Sequence, residues 1–267
     1  MSFLSNRQSA IENRQSCLSL ITHHLSLKQG VFVFIGHFGV ALAAKKVAPR
    51  TSLGTLVMAA QFVDLLWPLF LLLGVERVII APGATAVTPL DFISYPLSHS
   101  LLADLGWACL FAGIYKIVKR DSRGAVCLWF VLISHWLLDA LSHRPDLPLY
   151  PGSSTYVGLG LWNSRVGTIL VESALFALGG VLYAKTTRPR DRIGALALRS
   201  FIALLFLFYL INLFGPPPPS EKAVALGSLS LWLFVVWAYW LDRHRLLNPS
   251  RAALIAIGPL SEHIPAP

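Results

Sequence analysis

Six stretches of this chain, at about 52–74, 98–119, 124–142, 165–184, 197–214 and 223–241, are apolar for close to 20 residues each. That length matches the roughly 20 residues a helix needs to cross ~30 Å of hydrocarbon. Only helices and closed barrels satisfy their own backbone hydrogen bonds there, and apolar runs this long read as helices. Of the 267 residues, 55% are hydrophobic and 13% charged, against about 25% charged in an ordinary soluble domain. The expected fold is therefore all-α: a polytopic integral membrane protein, a helical bundle of 6–7 transmembrane helices surrounded by lipid bilayer.

The seventh helix is a shorter run at 31–44, a half-span or a tilted helix. Residues 1–30 are polar and carry no apolar leader followed by a small-residue cleavage site. They read as an N-terminal extension, or as sequence upstream of a true start near Val31 or Val33. Residues 31–244 read as one transmembrane domain and 245–267 as a short tail. The four prolines at 216–219 cannot continue a helix and end the sixth apolar run. Cys17, Cys109 and Cys127 form no CxxC pair and imply neither a disulfide framework nor a thiolate metal site.

A net charge of +9 could suggest nucleic acid, but the basic residues sit in short loops between apolar runs and form no stripe interleaved with aromatics. They alternate. Lys45, Lys46 and Arg50 come first, then Lys116, Lys119, Arg120 and Arg123, then the groups at 185–199 and 243–251. The loops at 75–97, 143–164 and 215–222 hold only Arg77, Arg144 and Lys222. The positive-inside rule puts the basic loops and the C-terminus in the cytoplasm, and the other loops outside the inner (plasma) membrane. Trp67, Trp162 and Trp240 fall near span ends, as an aromatic belt would.

Ionisable residues inside such runs are costly and point to function. Asp64, His99, Asp104, His135, Asp139, Glu172 and His37 lie within or at the ends of runs, with His143 and Asp146 just beyond the fourth. On the charge-derived topology nearly all of them fall in the outer half. His135, Asp139 and His143 follow one another at intervals of four, one face of a helix. Two imidazoles and a carboxylate on one face suit a divalent metal such as zinc, manganese, iron or nickel better than calcium. Pro145 ends the helix near His143, which frees Asp146 to swing back. Plainer readings exist: His37 between Gly36 and Gly39 as part of a tight helix crossing, Asp64 bonded to Gln61, Asp104 paired with a helix neighbour. His23, His24 and His244 read as solvated.

Gly36-His37-Phe38-Gly39, Gln61-x2-Asp64, Tyr95-Pro96-x-Ser98-His99-Ser100-Leu101-Leu102 and Ser134-His135-x3-Asp139-x3-His143-x2-Asp146 together resemble the YdjM-like family of predicted membrane-bound, metal-dependent hydrolases (the LexA-regulated inner-membrane type). The resemblance covers about 31–185 and extends to Gly158–Asn163 and Glu172. It implies hydrolase chemistry as a class, without a substrate.

The combined expectation is a metal-dependent hydrolase with a zinc or manganese site near the outer face. His135, Asp139 and His143 are the first ligands, His99 and Asp64 complete the set, and His37 supports it or serves a second metal. Asp146 or Glu172 takes the proton of the attacking water, with His99 also in a catalytic role. Arg144 and Arg165 would hold the head group of a phosphoester or lipid substrate. One rival is a proton or divalent-cation transporter, which should also place polar groups in the inner half and show two matching halves. The other is a non-enzymatic structural membrane protein.

Overall fold

The computed structural model describes residues 34–248. The N-terminal extension with Cys17, His23 and His24, and most of the tail, lie outside the described residues.

The first apolar run is a ten-residue helix, α1 (Ile35–Ala44), whose side chains are nearly all buried. At ~1.5 Å per residue it is about 15 Å long, half a bilayer. Its neighbours explain its burial: it packs on α2 (Leu53–Ala60), α5 (Ser122–Ser142), α6 (Arg165–Thr186) and α7 (Arg192–Phe214). Glycine makes the closest of these contacts possible. A Cβ on Gly39 would lie 2.6 Å from the Leu175 carbonyl oxygen, and one on Gly179 would collide with the Gly39 backbone, as small residues do at membrane helix interfaces.

The second apolar run does not form one straight span. It breaks into α2 and α3 (Phe62–Leu72), bent by 54° at Gln61. After it comes an antiparallel hairpin, β1 (Arg77–Ile80) with β2 (Leu90–Ser94), where the sequence suggested only a loop. Val78 and Leu90 face inward while Arg77 and Ile79 face out, the period-two burial of a half-covered strand.

The long helices follow. They are α4 (Leu101–Lys119), the helices α5, α6 and α7, and a last span built from α8 (Glu221–Ser228) and α9 (Leu231–Arg243). Among the described residues, five spans are long and apolar enough to cross a membrane, and six if the bent α2–α3 pair counts as one. With the half-span α1 this is the expected all-α polytopic bundle. Ser and Asp cap the starts of α4, α5, α6 and α7, each side chain accepting from a backbone N–H in the first turn. Short strand pairs finish the two ends: β3 (Leu147–Pro148) with β4 (Tyr156–Val157), and β5 (Thr187–Pro189) with β6 (Arg245–Leu247).

The bundle thus has two distinct ends. The Lys- and Arg-rich connections lie at one. The hairpin, the 143–164 segment and the proline run lie at the other.

Candidate metal centre

The sequence placed His135 and Asp139 one turn apart on α5, and the structure builds a cluster around them. His135 Nε2 lies 3.2 Å from Asp139 Oδ2 and 3.7 Å from Asp64 Oδ1. His37 Nε2 lies 3.4 Å from Asp139 Oδ1. His99 Nε2 lies 3.3 Å from Asp64 Oδ1 and 3.8 Å from Asp139 Oδ2. Three imidazoles therefore turn the same nitrogen, Nε2, toward two carboxylates. The rings of His37 and His135 stack, centroids 4.0 Å apart. Two overlapping groups have metal-binding spacing: His37, His135 and Asp139, and Asp64, His99 and His135.

The five residues arrive on four elements. His37 comes from α1, Asp64 from α3, His99 from the turn before α4, and His135 and Asp139 from α5. Along α5, His135 stands 13 residues after Ser122, about 20 Å up a ~30 Å helix. The cluster is therefore in the third of the bundle away from the basic loops. His135 is 1% exposed and Asp139 5%.

The far nitrogens of two of the rings fix their tautomers. His135 Nδ1 meets the Ala60 carbonyl at 2.7 Å, and a carbonyl can only accept. Ala60 is the last residue of α2, so the bend at Gln61 is what presents this carbonyl. Ser98 Oγ donates to Glu76 Oε2 at 2.7 Å and therefore accepts from His99 Nδ1 at 2.6 Å. When neutral, both rings point an Nε2 lone pair at carboxylate oxygens, a repulsive arrangement without a positive charge between them. Hydrogen-bonded outer nitrogens of this kind are the usual support of a metal-binding histidine. Glu76 was not singled out in the sequence. It is 1% exposed and also accepts from the Leu97 and Ser98 amides at 2.8 Å each. A polar residue beside Gly74 and Arg77, it carries no motif; its partner is 22 residues away, across the hairpin.

The other candidates lie around this core. His143 follows the end of α5 in an extended conformation and belongs to neither metal-spaced group. Its Nδ1 is 2.9 Å from Asp146 Oδ1, to which Tyr95 OH also donates at 2.9 Å. Burial and the Asp146 charge hold the Tyr95 phenol well above its usual pKa, so it remains a donor. Glu172 accepts from the Gly36 amide at 2.7 Å, at the N-terminus of α1, where helix amides and dipole favour a carboxylate. Asp104 is fully buried, and neither oxygen finds a partner among the described residues. Arg144 pairs with Asp91 and with Asp146. Arg165 donates to the Ala86 carbonyl and lies over the Phe214 ring. Asp64 forms no bond with Gln61 and meets the histidines instead.

A cavity of about 40 Å³ opens on the cluster, lined by His37, Asp64, His99, Asp139 and His143 on one side. Phe34, Phe92, Trp67 and Trp162 close it from outside. Phe92, on the hairpin, contacts the rings of Trp67, Tyr95, His143 and Trp162. In the cluster, His135 Nε2, Asp139 Oδ2 and His37 Nδ1 are buried without a hydrogen-bond partner among the described residues, a cost that native interiors rarely leave unanswered. This donor set of imidazole and carboxylate fits a divalent transition ion.

The model of the YdjM inner membrane protein family matches residues 33–215. The chain belongs to that family. The match includes every residue of the cluster and runs beyond the expected limit near 185, through α7. No curated protein and no solved structure matches the chain. As a family member with five or six membrane-length spans, it is a multi-pass inner membrane protein.

Proposed function

We propose that this chain is a membrane-embedded, metal-dependent hydrolase, with its site facing the outer side of the inner membrane. One observation carries the reading: three histidine Nε2 atoms converge on two carboxylates while the opposite nitrogens of two of the rings are tied down. Protonation is the competing way to supply positive charge. Imidazolium at both His99 and His135 would place two cations with their ring centroids 5.7 Å apart, whereas one divalent ion offsets the same two carboxylates without that repulsion.

His37, Asp64, His99, His135 and Asp139 would hold the ion. When bound, zinc or manganese supplies Lewis acidity that lowers the pKa of a water molecule and polarises the scissile group. The chain supplies the rest. His143 lines the cavity with Nδ1 held by Asp146, which leaves Nε2 to take a proton from the attacking water. Asp146, itself oriented by Tyr95 and Arg144, fixes the His143 ring. Glu172 acts as a positioning residue, anchoring the α1 terminus that carries His37. The ring of aromatics limits water around the reacting atoms.

The transport reading loses support at the other end of the bundle. At that end the buried Lys45 and the partly buried Asp242 pair with each other and make no path to the cluster. The loop charges support the outward orientation.

The test is chelator-stripped, metal-reconstituted protein assayed on a panel of small esters. Turnover should return only with metal. His143→Gln should lower it by at least ~100-fold with metal content unchanged. Turnover that is equal with and without metal would refute the proposal.

A further inference from the structure

The wall of the cavity facing the cluster has a chemistry of its own. Trp67 on α3, Thr88 in the hairpin loop, Trp162 in the short 3-10 turn at Leu161–Asn163, and Ser228 at the end of α8 all line it. Each is at least nine-tenths buried. Trp67 Nε1, Thr88 Oγ1, Trp162 Nε1 and Ser228 Oγ have no hydrogen-bond partner among the described residues. An indole N–H can only donate, and a buried unpaired donor costs about 1–3 kcal/mol. Four such groups from four separate elements are too many to be one local packing fault.

These donors are neutral. No lysine or arginine lines the cavity, and Arg144 and Arg165 are engaged elsewhere. The group that answers them is an acceptor with several oxygens. A single carbonyl oxygen has two lone pairs and cannot serve four donors, whereas the three terminal oxygens of a phosphoryl group can. Size agrees: about 40 Å³ is above the ~10–15 Å³ needed to hold a water and leaves room for a small oxyanion. Preorganised donors aimed at developing negative charge are also what hydrolysis of such a group needs.

We propose that Trp67, Thr88, Trp162 and Ser228 form an oxyanion subsite that holds the phosphoryl group of the substrate, making it a phosphate ester and not a carboxylic ester. This rests on the metal-hydrolase reading, because the anion beside Asp64 and Asp139 needs the cation for charge balance. The bond that breaks is P–O: a water oxygen adds to phosphorus, one of its protons passes to His143 Nε2, and His143 returns that proton to the alcohol oxygen as it leaves.

The experiment uses the full chain in detergent, loaded with manganese or zinc and with its metal content measured. Inorganic phosphate is titrated against thermal stability and 31P line width, with acetate as the control. Phosphate should stabilise the loaded protein and acetate should not. Ser228→Ala and Thr88→Val should each weaken phosphate binding about tenfold with metal content unchanged; Trp162→Phe should do the same, and the two small substitutions suffice if it folds poorly. Loaded protein indifferent to phosphate, or variants that bind phosphate as tightly as the parent, would overturn the subsite and leave the metal reading standing. Protein that takes up no metal would remove both.

Discussion

Both ends of the bundle bury ionisable side chains, but they treat them differently. At the basic end the buried Lys45 and Arg245 are answered. Lys45 Nζ donates to Asp242 and to the Thr51 carbonyl, both at 2.9 Å, and Tyr183 OH donates to the same Asp242. Arg245 reaches Thr187 and the Gly194 carbonyl. At the other end His37, His135 and Asp139 keep buried atoms without partners, and lone pairs face anions. A saturated network holds helices together. A network left short of positive charge is arranged for something that is not part of the chain. Burial and charge content alone do not separate the two; counting donors against acceptors does.

The contrast predicts that the ends fail separately. The largest effect on stability belongs to the basic end. Lys45→Met leaves the partly buried Asp242 without its ion-pair partner and should cost ~2 kcal/mol, between the values for exposed and for fully buried pairs. Metal content should not change. Loss of metal in this variant would show that the two ends are coupled. Glu76→Ala works the other way. It frees Ser98 and with it the His99 ring, so metal affinity should fall by about tenfold, read by competition with a chelator. Unaltered affinity would reduce Glu76 to a support of the hairpin.

The smallest effect lies on the surface of the basic end. Asp191 is held below its usual pKa by the hydrogen bonds from His244 and from the Gly194 amide. A depressed carboxylate stabilises the fold above its unfolded pKa and loses that contribution as the pH falls through its folded value. Asp191→Asn should therefore lower the melting temperature slightly at neutral pH. The gap should close as the pH drops below about 3.8, the unperturbed value. A gap that persists in acid would assign the effect to the lost cap geometry.

Much of this was legible in the sequence. Apolar run length gave the spans, and the spacing of four on α5 joined His135 to Asp139, because helical periodicity is local. Pro145 ended α5, and His143 then left the helical face that the same periodicity would have given it. Other features had no local signal. The bend at Gln61 falls in an unbroken apolar run, yet it supplies the Ala60 carbonyl that orients His135. α1 looked marginal because it is short, and proved to be the most enclosed helix, since glycine contacts with α6 replace lipid. Its contrast with α4 makes the point: a mostly apolar helix of 19 residues of which only Asp104, Ala108 and Ala112 are buried. Hydropathy reports what lipid tolerates, and it cannot rank helices by what packs around them. Glu76 and the four donors of the cavity wall acquire meaning only through partners on other elements.

The central claim is that the unanswered end holds a divalent metal. Elemental mass spectrometry on the detergent-purified protein tests it most directly, against a His135→Ala/Asp139→Ala double variant of matched folding. The account predicts a near-stoichiometric transition metal in the parent that disappears in the variant. A parent protein that stays empty after metal reconstitution would contradict it.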